Sequence, residues 1–343
     1  MNAMSGKEII KRIITHREPP RIGFDFMGDN PCDFVHCASA KLINPKYDRY
    51  GAWGREEAVT RLVPNFSGEV RLTAFGDVYG RFDGKTKGEC IRGALQDGWE
   101  KLDELEFPVL DEEFDRELAA MKLGESDKFV LAYLPLAIFS PLRDTRHMEN
   151  ALMDMLLEPE NVRRFLHKVV DLNKQAVKRA AKNGVDGVII YDDLGMQHAL
   201  LCSPACFREV LKPFYQELAE AIHREGMYFF VHSCGLVHDI IGDLIEAGVD
   251  VLQFDQPELS GSQVLAEEFG DRVTIYSPVD IQKIMPTNDP AVIERGALHM
   301  VNSFKKVGGS LIVMDYGNWQ DINVSPESQQ LARDILVANS SLL

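Results

Sequence analysis

Two short stretches carry residue types able to do chemistry at close quarters. FFVHSCG (229–235) places His232 and Cys234 two residues apart, followed by Gly235. In an extended segment that spacing puts an imidazole and a thiol on the same side, where both reach one ion. His with Cys is a zinc-type ligand pair. A zinc site needs at least three protein ligands, so this pair alone is equally read as a buried thiol beside a histidine bonded to the backbone. IIYDDLGMQ (189–197) ends in the paired carboxylates Asp192 and Asp193. Such a pair offers one metal ligand and one general acid or base, or holds a cationic group; buried together, one would raise the other's pKa. The alternative is that Asp192 faces the site and Asp193 is an exposed loop residue.

Two further apolar runs end the same way, in Asp255-Gln256 and in Asp315-Tyr316. Four runs ending in ionisable residues point to one converging site. Weaker candidates are Cys32-x3-His36-Cys37, which clusters ligand types by proximity, and Cys202 and Cys206, which flank a helix start. Arg71, Arg81, Arg92, Arg143 and Arg146 are candidate carboxylate binders, although surface arginine is the default. Met27, Met196 and Met314, near strand ends, read as pocket lining.

The elements that must position these residues are legible from about residue 128 onward. Strand-like runs cover 129–135, 187–193, 227–233, 249–255, 272–278 and 310–315. They are nearly continuously apolar, as strands buried on both faces of a parallel sheet are. Helices open between them at Pro159-Glu160, Ser203-Pro204, Asp289-Pro290 and Ser325-Pro326, and Gly226 and Gly308 read as stops. Repeated strand–helix units imply a parallel sheet with right-handed crossovers. With RIGFDF (21–26) as a first strand and one unit left unplaced, eight units fit the length. The expectation is an α/β fold, a (β/α)8 TIM barrel filling 1–343 as a single domain. Its active site would lie at the C-terminal strand ends. Region 36–128, which holds a hairpin-like DVYGRFDGKTKGE with Asp83-Gly84 at its turn, reads as an insertion capping one mouth. No G-x-G-x-x-G follows any strand, which argues against a dinucleotide site.

Composition excludes more than it identifies. The chain has 343 residues, 37 Lys and Arg against 53 Asp and Glu, and a formal charge of −16. With 45% apolar residues it holds ample core. Net −16 without a basic stripe makes nucleic acid an unsuitable partner. No stretch approaches the length of a membrane span, and the N-terminus shows no apolar leader. Six scattered cysteines do not form a disulfide scaffold, so a cytoplasmic protein with reduced thiols is expected.

Taken in order, YDDLGMQ, CSPACFREVLKPFYQELAEAIHREG, FFVHSCGLVHDIIGDLIEAGVDVLQFDQPE, SPVDIQKIMP and VGGSLIVMDYGNW resemble the uroporphyrinogen decarboxylase superfamily. The HSCG stretch is similar to the cobalamin-dependent methyltransferase branch. The resemblance covers about 187–340 and is looser before it. It implies the (β/α)8 barrel already inferred, suits a homodimer, and implies one of two chemistries. The decarboxylase branch needs no cofactor and holds an acidic tetrapyrrole with an N-terminal arginine cluster. Here RIGFDFMGDNPCDF has Arg21 but not the repeated arginines.

The methyltransferase branch implies zinc, with a corrinoid supplied by a partner protein and a small methylated substrate or thiol. His232 and Cys234 match its His-x-Cys ligands. Its third ligand is a Cys in the last loop, where this chain reads MDYGNWQ. That ligand is then expected from Asp315, from Asp192 or Asp193, or from Cys202. On this reading Asp192, Asp193 and Tyr316 are the catalytic candidates. Asp255, Gln256 and Asn318 are the cofactor-binding candidates, and His232, Cys234 and Asp315 the metal ligands. The alternatives are a metal-free decarboxylase and a corrinoid- or tetrapyrrole-binding module without turnover.

Overall fold

Every apolar run expected to be a strand becomes one, and the chain between them returns over the outside of the sheet. The computed structural model describes residues 4–84 and 86–342. Its barrel strands are β1 (Gly23–Asp25), β2 (Phe34–Ala38), β3 (Phe129–Tyr133), β4 (Gly187–Tyr191), β5 (Tyr228–His232), β6 (Val251–Gln253), β7 (Thr274–Ser277) and β8 (Leu311–Met314). Their spatial order is β1-β8-β7-β6-β5-β4-β3-β2, each neighbouring pair parallel. The nearly closed eight-stranded sheet, with helices outside, is a (β/α)8 TIM barrel. At the seam between β1 and β2 the Asp33 N–H donates to the Phe24 carbonyl at 2.7 Å.

The unplaced unit is β2. It follows β1 after loop 26–33 with no crossover helix between them, so the strand–helix alternation that marks the other units is missing there. His36 and Cys37 therefore lie in a barrel strand, and the irregular excursion starts after it. Within that excursion Leu42–Ile43 pairs with Val109–Leu110. Glu69–Leu72, Val78–Arg81 and Glu89–Arg92 form a separate antiparallel sheet that includes the expected hairpin. This sheet docks on the helix Phe139–Arg146, with the Tyr79 hydroxyl donating to Asp144 at 2.6 Å.

The helix starts behave as their sequences dictate. Side-chain oxygens of Ser203, Asp289 and Ser325 accept from the backbone N–H groups of Cys206, Ala291 and Ser328, with Pro at the next position each time. The N-terminal helix Gly6–Ile14 buries Ile9, Ile10, Ile13 and Ile14 against Phe34, Phe129 and Ile312, closing the bottom of the barrel. Each such isoleucine contributes roughly 1.5–3 kcal/mol of burial. Gly23 permits the approach, because a Cβ there would meet Ile10 Cδ1 at 2.6 Å. No helix among the described residues is long and apolar enough to cross a membrane.

Candidate functional site

The two-residue period of the strands builds a cleft of about 550 Å³ at their C-terminal ends. Its lower tier takes one side chain from every strand: Asp25, His36, Tyr133, Tyr191, His232, Gln253, Tyr276 and Met314. Two residues further along, Met27, Asp193, Cys234, Asp255 and Tyr316 form an upper tier, and Asn318 continues that parity at the rim. Residues of the other parity mostly turn toward the helices, with Asp315 and Gly317 still bordering the cleft.

Parity decides several expectations. Asp192 does not line the cleft. It is fully buried, and its carboxylate accepts from the N–H groups of Ile138, Phe139 and Ser140 at 2.8–3.0 Å, from Ser140 Oγ and from the Tyr215 hydroxyl. It anchors the start of a helix instead of meeting a substrate. Asp315 is likewise not positioned as a metal ligand, because its oxygens are taken by Arg333, Gln329 Nε2 and the Met27 N–H. Gln256 serves loop contacts, accepting from the Gly235 N–H at 3.2 Å, and is not among the cleft residues. Asp193, Asp255, Tyr316 and Asn318 are.

Among the described residues, Asp193, His232 and Cys234 form the one group of three or more His, Cys, Asp or Glu suited to a metal, with their ligand atoms within 4.8 Å of one another. The register explains the meeting. Tyr191 pairs with His232, so the residues two beyond them, Asp193 and Cys234, are neighbours as well. The two loops then cross at Gly195 and Gly235. A Cβ on Gly235 would stand 2.3 Å from the Gly195 carbonyl carbon, and the Leu236 N–H donates to the Met196 carbonyl at 2.8 Å. Asp193 Oδ1 lies 3.3 Å from His232 Nε2 and accepts from the Cys234 N–H at 3.0 Å, while Cys234 Sγ is 3.3 Å from the same Nε2.

The group has an outer support. His232 Nδ1 is bonded to Gln253 Oε1, an atom that only accepts, so Nδ1 carries the hydrogen and Nε2 is aimed at the other two donors. Gln253 Nε2 in turn donates to Asp255 at 2.9 Å. Burial lowers the His232 pKa, but hydrogen bonds to Asp193 and Cys234 and the charge of Asp255 outweigh it and carry the group up to about 10. The His232 hydrogen bond holds Asp193 well below the usual carboxylate range, and burial pushes the Cys234 thiol up. A proton on Nε2 thus occupies the point on which a carboxylate and a thiol converge. A divalent cation fits that same point, and imidazole, thiolate and carboxylate suit zinc.

The other sequence candidates lie elsewhere. Cys37 packs in the core outside the barrel. Cys202 and Cys206 sit beside the start of the Pro204 helix and are not part of the donor group. None of the five arginines lines the cleft; Arg81, Arg92, Arg143 and Arg146 pair with Glu69, Asp97, Asp144 and Asp154, and Arg71 stacks on Trp53 and Tyr79. Sequence reasoning missed Asp25, Tyr133, Tyr191, Gln253 and Tyr276. Stepping back two residues from each strand-end candidate would have found Tyr191 and Gln253.

The fold and cleft define a (β/α)8 barrel with its candidate site at the C-terminal strand ends. A family model for uroporphyrinogen decarboxylase (URO-D) matches residues 129–317, more than half of the chain, and the chain belongs to that family. Among solved structures it is similar to a methyltransferase from Methanosarcina mazei, at TM-score 0.60 and 13% identity over 98% of each chain. It is also similar to the YdhT protein from Bacillus subtilis, at TM-score 0.41 and 11% identity over 90% of this chain and 84% of that one. No curated protein matches its sequence.

Proposed function

We propose that this chain is a zinc-dependent methyltransferase of the family, moving a methyl group between a small methylated substrate or thiol and a corrinoid held by a partner protein. The observation that carries this reading is the convergence of Asp193, His232 and Cys234 on one point in the cleft. Three protein ligands leave a fourth position for substrate, the arrangement of a catalytic zinc. Zinc bound there would lower the pKa of a thiol or polarise a methyl donor. Gln253 and Asp255 orient His232, and Tyr133, Tyr191 and Tyr276 line the cleft beside it. Tyr316 and Asn318 line the upper part of the cleft, and on this reading they would face the corrinoid carrier.

The decarboxylase alternative suits this cleft less well. Asp25, Asp193, Asp255 and Asp315 border it, and Lys87 is the only lysine or arginine among its described lining residues. An acidic tetrapyrrole would meet repulsion instead of bidentate arginine contacts. Elemental analysis of the purified protein and of Cys234→Ser tests the proposal. About one zinc per chain is expected in the wild type, with loss in the variant. Full zinc in Cys234→Ser would overturn the ligand assignment, and turnover undiminished by a chelator would favour decarboxylation. Transfer from methylcobalamin to small thiols, followed by the corrinoid spectrum, tests the reaction itself.

A further inference from the structure

A buried carboxyl fastens the excursion after β2 to the outer layer of the barrel. Asp77 is 2% exposed and directly precedes the strand Val78–Arg81. Its Oδ1 accepts from the Ala94 N–H at 3.0 Å, and its Oδ2 meets two hydroxyls, Thr73 Oγ1 at 3.0 Å and Thr145 Oγ1 at 3.4 Å. Thr145 belongs to the helix Phe139–Arg146, so this one carboxyl is shared between the excursion and the barrel. The junction is close-fitting around it. The Leu95 N–H donates to the Thr145 carbonyl at 2.9 Å, the Cys90 thiol donates to the Asp144 carbonyl at 3.3 Å, and a Cβ on Gly93 would stand 2.2 Å from the Thr145 oxygen.

Among the described residues no Lys, Arg or His pairs with Asp77. The arginines of the surrounding elements are committed elsewhere: Arg81, Arg92, Arg143 and Arg146 to carboxylates, and Arg71 to the rings of Trp53 and Tyr79. The ionisable groups that face it are Asp144, which repels a second negative charge, and Cys90, a thiol that burial pushes up and keeps neutral. An ionised carboxylate buried here without a cation is costly. The neutral acid fits instead. Thr73 Oγ1 already accepts from the Phe75 and Asp77 N–H groups at 3.2 and 3.1 Å, so its hydrogen is aimed at Oδ2. A proton on Oδ2 then has Thr145 Oγ1 as its acceptor, while Oδ1 still serves Ala94. Burial, reinforced by the charge of Asp144, outweighs the three hydrogen bonds and carries the Asp77 pKa up to about 7.

The sheet held by this carboxyl reaches the main cleft. The strands Val78–Arg81 and Glu89–Arg92 pair with each other, and Lys87, between them, lines the cleft. On the other side a separate cavity of about 400 Å³, lined by Tyr79, Gly88, Cys90, Arg143, Asp144 and His147, runs along the junction with the helix. We propose that Asp77 is a proton-operated latch: with its carboxyl neutral the sheet stays docked on the helix Phe139–Arg146 and keeps Lys87 at the cleft, and with its carboxyl ionised the sheet lifts and the cleft mouth opens. On opening, the O–H bond of the acid breaks, its electron pair stays on the carboxylate and the proton goes to water. Once lifted, the carboxyl regains its ordinary value of about 3.9. The docked sheet therefore holds the proton more tightly than the lifted one. Docking is strongest below about pH 4, weakens about tenfold per pH unit as pH rises toward 7, and levels off above it.

Amide hydrogen exchange of the full chain, followed by mass spectrometry from pH 5.5 to 8.5 and corrected for the intrinsic exchange rate, reads this opening locally. The strands Val78–Arg81 and Glu89–Arg92 report on the sheet, and the helix Pro159–Lys182 reports on the barrel. In the wild type, opening of the two strands is expected to rise about tenfold per pH unit up to pH 7 and then level, with the helix unchanged. Asp77→Asn, neutral throughout, should show opening independent of pH. Asp144→Asn, which removes the charge facing Asp77, should keep the rise but level at a lower pH. Equal profiles in the wild type and Asp77→Asn would overturn the latch, and so would a rise shared by the helix Pro159–Lys182. Should Asp77→Asn fail to fold, Asp144→Asn decides alone: levelling at an unchanged pH would overturn the proposal.

Discussion

Replacing Asp192 by Asn tests the division of labour between neighbouring carboxylates. Asp192 Oδ2 accepts from Ile138 N at 3.0 Å, from Phe139 N at 2.8 Å and from the Tyr215 hydroxyl, and Oδ1 accepts from Ser140 N at 2.8 Å and Ser140 Oγ at 3.0 Å. Asparagine keeps the shape but presents an NH2 group on one side. The less damaging orientation places that group toward Ser140, whose hydroxyl can turn to accept while its backbone N–H loses its partner. A stranded buried donor costs about 1–3 kcal/mol, and the three bonds left on the amide oxygen lose their charge assistance. Together these amount to about 3–5 kcal/mol, a large share of the roughly 5–15 kcal/mol that a folded protein has in hand. Urea unfolding followed by circular dichroism should show a markedly lower midpoint, while on the proposed reading protein that remains folded should bind zinc as the wild type does. An unchanged midpoint with lost methyl transfer would refute the anchoring role and return Asp192 to the chemistry.

Two further outcomes follow from the same geometry. Gln253→Leu removes the acceptor for His232 Nδ1 and should weaken zinc about 10–100-fold in competition with a chromophoric chelator; unchanged affinity would remove Gln253 from the support of the site. His223, held 2.8 Å from Asp250 on the outer surface, has its pKa raised by that hydrogen bond. Its contribution to stability is full below its unfolded value near 6.5 and is lost as pH rises through the raised folded value. The difference in unfolding midpoint between wild type and His223→Gln should therefore shrink from pH 6 to pH 9, and a difference that grows with pH would contradict the pairing.

The sequence alone determined the elements. Seven of the eight strands are legible because parallel strands buried on both faces read as apolar runs, and the Ser-Pro and Asp-Pro starts at 203, 289 and 325 each cap a helix as written. It also determined that His232 and Cys234 share a face, since a spacing of two in a strand means one face whichever face that is. What it left open is that face. A strand apolar on both sides carries no alternation to show which residues look inward, so Asp192 and Asp193, or Asp315 and Tyr316, are indistinguishable in the chain. The tertiary structure alone decided the parity, turning Asp192 to a helix start and Asp315 to Arg333 while bringing Asp193 to the cleft. It also decided the company each residue keeps. The β4–β5 register supplies the third donor from a neighbouring strand, and the β1–β2 seam assembles Asp25, His36 and Tyr133 from positions 25, 36 and 133. Contacts between strands depend on pairing register and barrel closure, and neither is written in any one segment.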